Sequence, residues 1–389
     1  LKAIDAQLPS HTHRARSSAS LALANLVRGR SSAPPSAGPP AEARRAGLAR
    51  IGALALADPE TSFSQEDVLD LLGLSDDEFA QRIFSRCGVR RRRLKLTDEF
   101  LATTVQGRTP AIEDQLFGYA VRAIDELGVD PQQIGVLVSS TLYSLGGPTI
   151  AHRLVDHYEM DPSTDKYHVV GVGCASAVPL IRLASQALRD RPGEKALVVA
   201  AESMTGLLMG ASEDDERSKT VGSSIFGDGC AAALIELGEG EDGAEGPTIL
   251  ASKVHQIGGT LGAVRMELTP EDSYLHLIRE LPDVAGTGLL ELVEDFLAAY
   301  GLQRDGIDHW LVHPGGRRII ESVQEALGLS REDVRTSYEV LADHGNVGTP
   351  SIFYVMARTV QRRHPGPGEL GLMVTVGPGV TVGLMLLQW

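Results

Sequence analysis

The stretch Val169-Val170-Gly171-Val172-Gly173-Cys174-Ala175-Ser176-Ala177-Val178-Pro179-Leu180 decides how this chain is read. An apolar, β-branched run ends at a glycine-flanked cysteine. Apolar residues at helical spacing follow at once, through Leu180, Ile181, Leu183, Ala184 and Leu188. The pattern predicts a strand, a corner at Cys174 and a helix. Backbone N–H groups and the positive end of the helix dipole would face the sulfur there, and both favour a thiolate. A free cysteine is more often a small core residue, so the rest of the chain has to decide.

Working outward, the segment around Cys174 has a second copy. A helical pattern over Gln115–Leu127, then Gly128, precedes an apolar strand Ile134–Ser140. A helical pattern over Leu289–Tyr300, then Gly301, precedes an apolar strand Ile307–His313 at the same glycine-to-isoleucine spacing. The first copy continues through Tyr167 and Cys174, a helix to about Arg189, and the strand Ala196–Ala201. The second continues through Tyr338 and Asn346, a helix over Ser351–Arg362, and the strand Gly371–Val376. Apolar strands alternating with helices predict a buried, mostly parallel sheet in each half. Cys174 and Asn346 hold matching positions, each leading into a helix, and His313 ends the strand that opens the second copy. A pseudo-twofold between the halves would bring all three to one junction.

The domain reading follows. Residues 1–47 are rich in Ala, Ser, Arg and Pro, with the breaker tract Ser31–Pro40, and read as a flexible extension rather than a targeting peptide. Residues 48–248 form a first α/β half carrying the cysteine, and 249–389 a second half carrying the histidine and asparagine. Before the duplication, Ala49–Leu56 reads as a strand. Ser64 to Asp67 reads as a cap opening a helix through Val68 and Leu71, and Glu78–Ser85 as a further helix. Arg90-Arg91-Arg92-Arg93 is either a solvated face or a polyphosphate dock.

Composition narrows the function classes. The chain has 389 residues, 43% hydrophobic and 22% charged, with a net charge of −15. That argues against nucleic acid or an anionic membrane surface as the main partner. Cys87, Cys174 and Cys230 are odd in number and widely spaced, giving no disulfide framework and no metal site. A reducing, cytoplasmic compartment is expected. No run of about 18 apolar residues is present to span a membrane.

Cysteine with histidine and asparagine fits two chemistries. One is proteolysis, but the sequence around Cys174 lacks the local pattern of papain-like enzymes. The other is acyl transfer with carbon–carbon bond formation, the cysteine carrying an acyl thioester while His and Asn donors stabilise an enolate. Taken singly, His313 reads as a capping or core histidine and Asn346 as a turn residue beside Gly345 and Gly348.

The motifs Gly173-Cys174, Ile225-Phe226-Gly227-Asp228-Gly229, His313-Pro314-Gly315-Gly316, Gly345-Asn346-Val347 and Val376-Gly377-Pro378-Gly379 together resemble the type III polyketide synthases. These are the chalcone-synthase-like branch of the thiolase superfamily, and the likeness runs from about Leu48 to Trp389. It implies a layered αβαβα fold of two duplicated halves, usually a homodimer. It also implies a nucleophile at Cys174, with His313 and Asn346 binding the malonyl thioester and promoting its decarboxylation. Phe226 and Leu275 would stand at the junction of tunnel and cavity. Met204 and Leu207 would line the cavity, Gly377-Pro378-Gly379 would shape its floor, and Arg82 and Arg86 would meet coenzyme A phosphates.

The departures are as informative. Leu275 stands for a gatekeeping aromatic and Phe79 for a third basic contact. Met204, Gly206 and Leu207 stand where plant members carry Thr and Val, and Gly348 where many carry Ser. An apolar cavity of different shape is expected, nearer to bacterial members than to plant enzymes taking phenylpropanoid starters. The expected activity is loading of an acyl-CoA starter on Cys174 and extension with malonyl-CoA by decarboxylative Claisen condensation, with no metal or redox cofactor. Two alternatives stay open: a single-condensation ketosynthase or acyltransferase served by an acyl carrier protein, and a non-catalytic acyl-binding protein of the same fold.

Overall fold

A computed structural model describes residues 47–97, 100, 103–142, 146–205, 216–238, 246–268 and 273–389. The expected extension, apart from Gly47, lies outside the described residues, as do Gly206 and Leu207. In chain order the strands are β1 (Ala49–Ala57), β2 (Ser62–Ser64), β3 (Arg91–Arg93), β4 (Ile134–Ser140), β5 (Asp165–Val169), β6 (Lys195–Ser203), β7 (Asp228–Leu237), β8 (Thr248–Gln256), β9 (Val264–Leu268), β10 (Ser273–Leu277), β11 (His309–Val312), β12 (Leu370–Gly377) and β13 (Thr381–Gln388). The helices are α1 (Gln65–Leu71), α2 (Glu78–Arg86), α3 (Val105–Leu127), α4 (Ile150–His157), α5 (Ala177–Ala187), α6 (Glu216–Ile225), α7 (Leu281–Gly286), α8 (Leu289–Ala298), α9 (Arg317–Leu327), α10 (Arg335–His344) and α11 (Ser351–Arg363).

Among the described residues the main sheet has nine strands, ordered β11-β12-β13-β8-β1-β7-β6-β4-β5. It is mixed, correcting the mostly parallel reading. β4 runs parallel to β5 and β6, and β11 to β12. β7, β1, β8 and β13 pair antiparallel to their neighbours. The antiparallel strands come from hairpin-like returns such as Gly377 to Thr381, which periodicity alone does not separate from crossovers. The two halves join where β1 meets β8 at Arg50 and Thr248.

Strand alternation explains the layers. In β4, Val136 and Val138 face the centre of the molecule and Leu137 faces outward; in β12, Met373 faces the centre while Leu372 and Val374 face outward. The central core therefore receives both halves, packed around α5 (Val178, Ile181, Ala184) and α11 (Ile352, Phe353, Tyr354). On the outside, α3 covers the first half through Ile112, Leu116 and Ala120. α8 and α9 cover the second through Val293, Leu297, Ile320 and Val323. The result is α–β–α–β–α. The alanine-rich run Ala231-Ala232-Ala233 of β7 is fully buried, its small side chains alternating between the central core and the face covered by α3.

The duplication holds where it matters and breaks in one place. α5 and α11 correspond, as do β4 with β11, β6 with β12 and β7 with β13. Tyr167 lies in edge strand β5, but its counterpart Tyr338 lies in helix α10. α3 begins ten residues before the expected start, behind the N-cap Thr104. The capping box at Ser64 and Asp67 forms as read.

Candidate active site

The strand before Cys174 ends at Val169, and Val170 is exposed. Cys174 therefore sits not at the strand's end but in a short 3₁₀ turn, Gly173–Ala175, just before α5. Two glycines fix that turn. Gly173 has φ +60°, a left-handed conformation that disfavours a side chain, and a Cβ on it would lie 2.9 Å from Pro378 Cδ. A Cβ on Gly377 would lie 2.6 Å from Ala175 N. The turn at Cys174 and the Gly377-Pro378 loop thus interlock across the two halves at van der Waals contact.

Asn346 meets Cys174 directly, with Nδ2 3.8 Å from Sγ. Its amide orientation is set from behind. Oδ1 accepts from Gly348 N at 2.9 Å and from Ser351 Oγ at 3.3 Å, and Nδ2 reaches Gly315 O at 3.4 Å. Both ends of the amide lie near the sulfur, Nδ2 at 3.8 Å and Oδ1 at 3.9 Å, and the donors held by Oδ1 assign Nδ2 as the amide's donor end. The backbone is pinned as well: Asn346 N donates to Ile225 O at 2.7 Å, and Gly227 N donates to Asn346 O at 3.0 Å. Phe226 and Asn346 thereby form a single parallel bridge. His313 extends the β11–β12 pairing by donating its N–H to Val374 O. Its two ring nitrogens are buried without a hydrogen-bond partner among the described residues.

These groups share one cavity of about 420 Å³. Cys174, His313 and Asn346 lie at its floor with Gly377 and Pro378. Phe226, Leu275 and Met204 line its apolar wall with Leu142, Val221 and Met266, and Arg82 and Arg86 also line it. Gly379 does not: a Cβ on it would point at Gln256 and Leu261, and its carbonyl accepts from Thr260 Oγ1. This corrects the expectation that all three residues of the loop shape the floor. The loop turns over at Gly379, where φ is +65°, and leaves the cavity there. A larger groove of about 810 Å³, beside Lys95 and Arg122, holds none of these residues.

Protonation runs against the simplest reading of the motif. Cys174 keeps part of its surface open to the chamber, yet the protein around the sulfur pushes its thiol up to about 12, chiefly by desolvation. Burial also holds His313 down at about 3. Burial thus works against a lone thiolate at Cys174 and a lone imidazolium at His313. Both shifts penalise a lone charge in a dry site. Moving the thiol proton to the imidazole makes two opposite charges at once, and their attraction offsets both penalties.

Two supporting residues were not read from the sequence. Glu202, at the end of β6, is fully buried and accepts from Leu142 N (2.9 Å), Thr141 Oγ1 (3.4 Å) and Thr349 Oγ1 (3.4 Å). Thr349 Oγ1 lies closer to Gly173 O, at 3.0 Å, so its single proton is shared between that carbonyl and the carboxyl, and the group ties together three segments around Cys174. Burial raises Glu202 to about 8. The signal in the sequence was an acid closing the apolar run Val198-Val199-Ala200-Ala201. The second residue is Arg92. The arginine run is a solvated face at Arg90 and Arg91 but not at Arg92. Arg90 pairs with Asp343 and Arg93 with Asp58, while Arg92 is fully buried and donates to Phe226 O at 3.0 Å. Strand alternation in β3 turns the middle side chain inward.

Comparison with known proteins agrees with this geometry. Residues 249–389 match the family described as chalcone and stilbene synthases, C-terminal domain, and residues 59–258 match the FAE1/type III polyketide synthase-like family. The 3,5-dihydroxyphenylacetyl-CoA synthase of Streptomyces toyocaensis is 30% identical over 354 residues, covering 87% of this chain and 90% of that protein. This chain belongs to the type III polyketide synthases. The alpha-pyrone synthesis polyketide synthase-like Pks18 of Mycobacterium tuberculosis is 30% identical over 366 residues, 88% of this chain and 91% of its own. The solved structure of PKS-I from the brown alga Ectocarpus siliculosus superposes with a TM-score of 0.80 at 25% identity, covering 88% of this chain and 98% of that one. Type III polyketide synthases are acyltransferases that extend a CoA-linked starter by decarboxylative condensation. No helix among the described residues is long and apolar enough to cross a membrane.

Proposed function

We propose that Cys174 carries the growing chain and that His313 and Asn346 activate the extender. The observation that carries this reading is the meeting of Asn346 Nδ2 with Cys174 Sγ at 3.8 Å, at the floor of a cavity also lined by His313. The Cys174 thiol gives its proton to the imidazole as Sγ attacks the starter thioester carbonyl, and the coenzyme A thiolate leaves. Malonyl-CoA then enters with its thioester oxygen facing His313 Nε2 and Asn346 Nδ2. Carbon dioxide departs, and the electron pair left on the α-carbon spreads onto that oxygen as an enolate, where two preorganised donors stabilise it. The enolate carbon attacks the acyl group on Cys174, and the cysteine leaves as a thiolate. A β-ketoacyl-CoA one acetate unit longer is the product. The dry floor strengthens both donors.

The apolar wall of Phe226, Leu275 and Met204 supports an apolar acyl starter, and the chain needs no metal or redox cofactor for these steps. A homodimer in the cytoplasm completes the reading. Edge strand β5 leaves Tyr167 37% exposed, with Val170 45% exposed just beyond it; light scattering should report twice the chain mass. The central test is Cys174→Ala with acyl-CoA and malonyl-CoA. Loss of the acyl-enzyme by mass spectrometry, together with loss of condensed product, is expected. A normal product yield would sink the assignment.

A further inference from the structure

The motif Ile225-Phe226-Gly227-Asp228-Gly229 crosses the link between α10 and α11 that carries Asn346, and the two segments lie closer than side chains permit. A Cβ on Gly227 would lie 2.4 Å from His344 O, and one on Gly345 would lie 2.5 Å from Ile225 O. A Cβ on Gly229 would lie 2.6 Å from the Tyr354 hydroxyl and 3.4 Å from Asp58 Oδ1. Gly229 thus makes room for a polar cluster outside the chamber. Asp58, just after β1, accepts from the Tyr354 hydroxyl at 2.8 Å through Oδ1. Its Oδ2 lies 3.4 Å from His344 Nδ1 and 3.8 Å from Arg93 Nε, and its backbone carbonyl accepts from Arg122 Nη2 at 2.7 Å. The His344 and Tyr354 rings meet edge to face, with centroids 4.9 Å apart. Tyr354 is buried, and Asp58 and His344 are partly so. None of the three lines the chamber.

His344 is the last residue of α10 and stands two residues before Asn346. Tyr354 is in the first turn of α11, three residues after Ser351, so the two share a helix face. Ser351 Oγ is one of the donors that orient the Asn346 amide. One carboxylate from the first half of the chain therefore grips both ends of the link that holds Asn346 in the second. The link itself is soft: Gly345 and Gly348 take φ of +72° and +70°, and glycine is the residue that resists displacement least. Neighbouring Asp343 is turned away to Arg90 and Arg358, which leaves Asp58 as the anion facing His344. We propose that Asp58, His344 and Tyr354 are positioning residues that set where the Asn346 amide meets the malonyl thioester. This rests on the reading of Asn346 as an enolate donor. A donor stabilises developing charge only where it is already in place, so loosening either end of the link should slow decarboxylation and spare acyl loading.

The test uses the full chain with Tyr354→Phe, which removes one oxygen and keeps the ring, alongside His344→Ala and Asp58→Ala. Carbon dioxide release from malonyl-CoA and acylation of Cys174 by an acyl-CoA, read by intact mass, are timed separately. The kcat for release should fall about tenfold, short of the roughly 10²-fold that a displacement of about 1 Å costs. The KM for malonyl-CoA and the loading rate should hold. Placed in an Asn346→Ala background, Tyr354→Phe should add no further loss, because the brace acts through the amide that is gone. An unchanged kcat in Tyr354→Phe overturns the proposal. So does an equal fall in both steps, which marks support of the whole fold, and so does a full further loss in the Asn346→Ala background. Asn346→Ala alone separates the two levels. If it releases carbon dioxide at the wild-type rate, the donor reading fails and the brace with it. If it is slow while the three brace variants match wild type, the brace alone fails.

Discussion

At the floor of the chamber, Cys174, His313 and Asn346 sit where burial lifts the thiol to about 12 and lowers the imidazole to about 3. At its mouth, five exposed arginines (Arg82, Arg86, Arg217, Arg279 and Arg318) make no ion pair among the described residues. The contrast follows from dielectric. A lone charge is costly at the floor, so burial disfavours an isolated thiolate or imidazolium there. Charge is cheap at the mouth, where it works over distance and is screened by salt. The floor is held by interlocked backbone; the mouth is held by long side chains.

The largest effect should come from breaking the floor. His313→Ala or Asn346→Ala is expected to slow carbon dioxide release from malonyl-CoA by about 10²–10³, the usual cost of one oxyanion donor. In Asn346→Ala, acyl transfer to Cys174 should survive, by mass spectrometry of the intact protein. Equal loss of both steps would place Asn346 in the attack itself. Next, Gly377→Ala forces a methyl against Ala175 N. It should cost about 1–3 kcal/mol of stability, as overpacking does, and lower kcat through the displaced turn. A variant with full kcat would show that the interlock does not set the sulfur's position.

The mouth should respond to salt and the floor should not. Raising ionic strength from about 0.1 M to about 1 M shortens the screening length from about 10 Å to about 3 Å. The KM for malonyl-CoA is expected to rise severalfold while kcat stays level. A salt-dependent kcat would blur the distinction.

The smallest effect concerns Glu202. Its carboxyl is raised in the fold from 4.5 to about 8, by burial first. The folded protein keeps that proton where the unfolded chain has lost it, so this contribution is full below about pH 4.5 and fades as pH rises towards 8. Asp228 does the same over a lower window, up to about 6, and His313 acts oppositely, costing stability as pH falls below 6.5. Between pH 6.5 and 8, wild type should therefore lose about 1–2 kcal/mol that Glu202→Gln does not. Parallel denaturation curves for the two proteins would remove Glu202 as the titrating group.

Much of this was legible in residues. The spacing from Gly128 to Ile134 and from Gly301 to Ile307 exposed the duplication, and the duplication placed Cys174 opposite Asn346. Both are local signals repeated at a distance, which periodicity can detect. Arg92 and Gly379 were misread because one residue's facing inside a short strand or turn depends on its partner's register. Glu202 was missed because a single acid says nothing of burial until the strands around it are paired. Tyr338 kept its place in the repeat but not its conformation.

The sequence by itself determined the two α/β halves, the three residues Cys174, His313 and Asn346 that meet at one cavity, and the apolar residues of its wall. These rest on residue type and spacing, which survive without coordinates. Only the tertiary structure decided that the sheet is mixed, that burial disfavours a lone charge on Cys174 or His313, that Glu202 ties the turn at Cys174 to its neighbours, and that five arginines line one cavity. Each of those depends on desolvation or on distance between residues far apart in the chain, and neither quantity exists before the chain is folded.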